Sequence, residues 1–116
     1  MNAVISTFTN KNPDKLHNED LVGTYDNVFW LLDGASHPKT SNSPLSTQRY
    51  VHLLSQKIIE TLQTSSTGAT LQQIIAASIK KIAEFIKHEY SSTSAFPSST
   101  IVMVRINDNE IEISKK

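Results

Sequence analysis

The fold turns on one stretch, Asn18-Glu19-Asp20-Leu21-Val22-Gly23-Thr24-Tyr25-Asp26-Asn27-Val28-Phe29-Trp30-Leu31-Leu32-Asp33-Gly34-Ala35-Ser36. Val28 to Leu32 is apolar at every position, as in a strand buried on both faces. It ends in Asp33-Gly34, which delivers a carboxylate to the mouth of a sheet. The glycine beside it leaves room for an ion or a close backbone approach. Residues 20–25 read as a second strand that turns at Asp26-Asn27, so the acids Glu19 and Asp20 return to the same mouth. Clustered oxygens with few soft donors are what a hard divalent cation requires. The competing reading makes Asp33-Gly34 a plain turn after a buried strand, since Asp-Gly is among the commonest turn dipeptides. Taken by themselves, the two residues favour the turn.

Upstream, Ala3 to Thr9 is short and rich in β-branched residues and reads as a strand. Asn10 to His17 is polar, contains Pro13 and reads as loop, as does Gly34 to Ser46 with Pro38 and Pro44. Two helices are expected downstream, at about 46–64 and 70–90. Ser46 or Thr47 caps the first, and Val51, Leu54, Ile58 and Leu62 recur at helical spacing. Thr70 with Gln73 forms a capping box for the second, whose apolar face runs Leu71, Ile75, Ile79, Ile82 and Ile86, widened by Ile74 and Phe85. Ser91 to Ser99 reads as loop, Thr100 to Ile106 as a strand, and Asn107 to Asn109 as the turn into a last strand over 110–114. The order β-β-β-α-α-β-β predicts an α+β fold, antiparallel strands with both helices on one face, in a single domain over 1–116.

The totals narrow the function classes. Eleven basic residues balance 11 acidic ones, which gives no pull toward nucleic acid or an anionic membrane. The chain has no cysteine, so disulfides and thiolate metal sites are excluded and a cytoplasmic location is expected. No apolar run approaches the roughly 20 residues of a membrane span, and the N-terminus lacks a signal-peptide layout. A chain of this length buries about two thirds of its unfolded surface, enough for one core.

Order and motifs together resemble the N-terminal half of the metal-dependent serine/threonine protein phosphatases, the PPM family. That family opens with Arg-x-x-Asn-(Glu/Gln)-Asp, continues with a strand ending in Asp-Gly and two long helices, and then enters a hydrophobic strand through a Ser/Thr-rich segment. Here the counterparts are Asn18-Glu19-Asp20, then Leu32-Asp33-Gly34, the two helices, and Ser98-Ser99-Thr100-Ile101-Val102-Met103-Val104. The resemblance implies that Asp33 bridges two metal ions, Mn or Mg, with Glu19 and the Gly34 carbonyl binding one of them. Asp20 would hold coordinated waters. Hydrolysis of phosphoserine or phosphothreonine by metal-activated water is the implied activity.

The departures are specific. Lys15 stands where the family carries its phosphate-gripping arginine, and a point charge lacks the bidentate fork. Ala35 stands where some members place a histidine, and His37 is a poor substitute in a loop. The family's later aspartates have no counterpart here, so the second metal site is expected to be incomplete. No catalytic residue is assigned. The implied reading is a truncated phosphatase domain, inactive alone, with a phosphoprotein substrate or a complementing C-terminal half as partner. The competing reading is a small non-enzymatic α+β module that binds a protein partner or forms a homodimer through exposed sheet edges. His17, His52 and His88 read as surface groups, Trp30 as core, and Lys80-Lys81 and Lys39 as solvated charge.

Overall fold

The structure is a computed structural model that describes residues 20–35, 45–66, 68–90, 96–108 and 110–116. The strand expected at 3–9 and the loop at 10–17 lie outside the described residues, as do 36–44 and 91–95. Six elements follow one another: β1 (Asp20–Tyr25), β2 (Val28–Ala35), α1 (Thr47–Thr64), α2 (Leu71–Glu89), β3 (Ser98–Ile106) and β4 (Ile111–Lys115). The strands form one antiparallel sheet in the order β1-β2-β3-β4, so the fold is α+β as expected. Both helices lie on one face, α1 against β1 and β2, α2 against β3 and β4.

Local chemistry explains most boundaries. Asp26-Asn27 turns β1 into β2, and Asp26 holds φ at 54°, a left-handed conformation that aspartate tolerates better than most residues. The Ser46 side chain accepts from the Arg49 N–H at 3.1 Å and caps α1. Thr70 and Gln73 complete the expected capping box on α2, at 3.1 and 2.9 Å.

Two expectations need correcting. β2 runs through Asp33 and Gly34 to Ala35, and β3 begins at Ser98, so Asp-Gly is neither a turn nor the start of a loop. The partner strand overrides local turn chemistry: Asp33 pairs with Thr100, Gly34 with Ser99 and Ala35 with Ser98, giving those backbone groups ladder partners. Nor is β2 buried on both faces. Val28, Trp30, Leu32 and Gly34 are buried, whereas Leu31, Asp33 and Ala35 are exposed. Helices cover a single face, so the strand alternates despite its unbroken apolar sequence.

The core fills the gap between sheet and helices. Trp30, Leu32, Ile101 and Met103 meet Val51, Leu54 and Ile58 of α1 and Leu71, Ile75 and Ile82 of α2. The Trp30 indole donates to Ser55 Oγ at 3.0 Å, which satisfies its buried N–H. The same ring lies across Gly23, its register partner, so closely that a Cβ there would collide with the indole. Between the helices the Thr61 and Ser78 hydroxyls meet at 3.2 Å. No described helix is long and apolar enough to cross a membrane.

Candidate metal centre

Register decides which side chains meet at the mouth of the sheet. Asp20 lies opposite Asp33 in the β1–β2 ladder, and Thr100 lies opposite Asp33 in the β2–β3 ladder. The next row, Leu21, Leu32 and Ile101, belongs to the helix-covered face. Alternation therefore puts Asp20, Asp33 and Thr100 on the opposite, open face. Residues directly opposite on one face hold their Cβ atoms roughly 4.5–5.5 Å apart, close enough for two carboxylates to share one ion. Asp33 is exposed and Asp20 half-buried. Facing like charges cost a sheet about 0.2–1 kcal/mol, a repulsion that a bound divalent cation would convert to attraction.

The expected residues divide as follows. Asp33 and Asp20 are register partners, with Gly34 next to Asp33 in β2. No described glycine has positive φ, so Gly34 is not there for a left-handed turn. Glu19 and Lys15 lie outside the described residues, as do His17, His37 and Lys39. Among the described residues no three acids, histidines or cysteines gather as a metal-holding group. The described donor set is thus two opposed carboxylates, which suits a hard cation and supplies part of its shell. Sequence reasoning missed Thr100 as a neighbour of Asp33. The signal was present in the phase of β3, because burying Ile101 and Met103 turns Thr100 to the open face.

Two clefts lined by described residues lie elsewhere. A polar cleft of about 560 Å³ opens at the other end of the sheet, between the Asp26-Asn27 turn and the start of α2. Its Arg105 donates to the Ala69 carbonyl at 3.0 Å and sits 3.7 Å from Glu112, so the cation is used to tie strand to helix. An apolar cavity of about 310 Å³ lies between Tyr50, the second half of α2 and Pro97. Burial there raises the Tyr50 phenol above its ordinary pKa. Neither cleft touches the acidic row.

No protein-family model and no curated protein matches the sequence. Among solved structures, the chain is similar to the crystal structure of the Mycobacterium tuberculosis serine/threonine phosphatase PstP/Ppp, with a TM-score of 0.63 and 16% identity. The match takes in 94% of this chain and 44% of that one, so the chain spans less than half the length of that phosphatase. At such identity the likeness is one of backbone: a four-stranded antiparallel sheet with two helices on one face, arranged as in part of a serine/threonine phosphatase.

Proposed function

We propose that this chain is a metal-binding module of a PPM-type phosphatase domain. In this reading Glu19, Asp33 and the Gly34 carbonyl hold one Mn or Mg ion, and Asp20 orients its waters. One observation carries the reading: β1 and β2 set Asp20 and Asp33 face to face at the end of a phosphatase-like sheet. When bound, the metal supplies a water of lowered pKa and neutralises phosphoryl charge. The chain's own residues would place that water and anchor the phosphate of a phosphoserine or phosphothreonine substrate. Lys15 contributes attraction without bidentate orientation. In this reading the second metal draws on aspartates outside this stretch, and hydrolysis needs the segment that carries them. The reading takes the chain to be cytoplasmic.

The test is a thermal melt of the chain at rising Mn. Saturation a hundredfold above the dissociation constant would add about 2.7 kcal/mol of stability, and Asp33→Asn would remove the effect. Hydrolysis of an aryl phosphate would stay at background until a complementing segment is added. An unmoved midpoint at millimolar Mn would remove the metal site and leave the fold standing.

A further inference from the structure

We draw no further inference here: the strongest candidate, the apolar cavity of about 310 Å³ between Tyr50, the second half of α2 and Pro97, is lined by Phe96 and Pro97, the first described residues after 91–95, and nothing in the structure shows what covers it.

Discussion

Gly23 and Trp30 show how much rests on a single atom. The indole is buried, fixed by its bond to Ser55, and laid over a residue with no side chain. A methyl group at 23 must displace the ring or bend β1, because the ring cannot move without stranding its N–H. Gly23→Ala should therefore cost about 1–3 kcal/mol, the usual range for overpacking a core, read as a lower urea midpoint with unchanged slope. Trp30 is recognisable as core from its apolar neighbours alone. The need for glycine at 23 is not, since it arises from a cross-strand partner that becomes known only once the register is known. Asp33 and Asp20 were legible for the same reason that Thr100 was not: the acids stand out by type, and the hydroxyl by position only.

Helix ends and strand ends carried different amounts of information. α1 and α2 start where their capping residues stand in the sequence, because a cap is a contact between residues three apart. Thr70→Ala should remove the hydroxyl that accepts from the Gln73 N–H, leave the residue-70 N–H to the Gln73 side chain, and cost about 1 kcal/mol, seen as a lower melting midpoint; Thr70→Ser should restore it. Strand ends depend on distant chain. The last residues of β2 look like a turn locally and are held extended by Ser98, Ser99 and Thr100. The unbroken apolar run of β2 misled in a second way. Composition records how hydrophobic a position is, whereas burial depends on what lies on each face, and here helices lie on one.

At the scale of the molecule, the two ends of the sheet have opposite characters. One end gathers Asp20 and Asp33. The other is closed by polar bonds: the Asn27 side chain donates to the Ile106 carbonyl and to Asn107, and Asn107 donates to Glu112. The α+β layout and the antiparallel order were readable because strands and helices come in runs instead of alternating. The exposure of Leu31, Ile111 and Ile113 was not, because it depends on what lies against each face of the sheet and not on their own apolar character.

The seam between β2 and β3 has one more consequence. It joins segments far apart along the chain, Asn27 bonding Ile106 across 79 positions. The β1–β2 hairpin, the helix pair and the β3–β4 hairpin can each form from near neighbours, but the seam must wait for a long loop to close. Refolding should accordingly be limited by this closure, with pulse-labelled amides of Phe29 and Leu31 gaining protection after those of α1 and α2. Protection of the middle strands ahead of the helices would show that assembly nucleates at the seam instead.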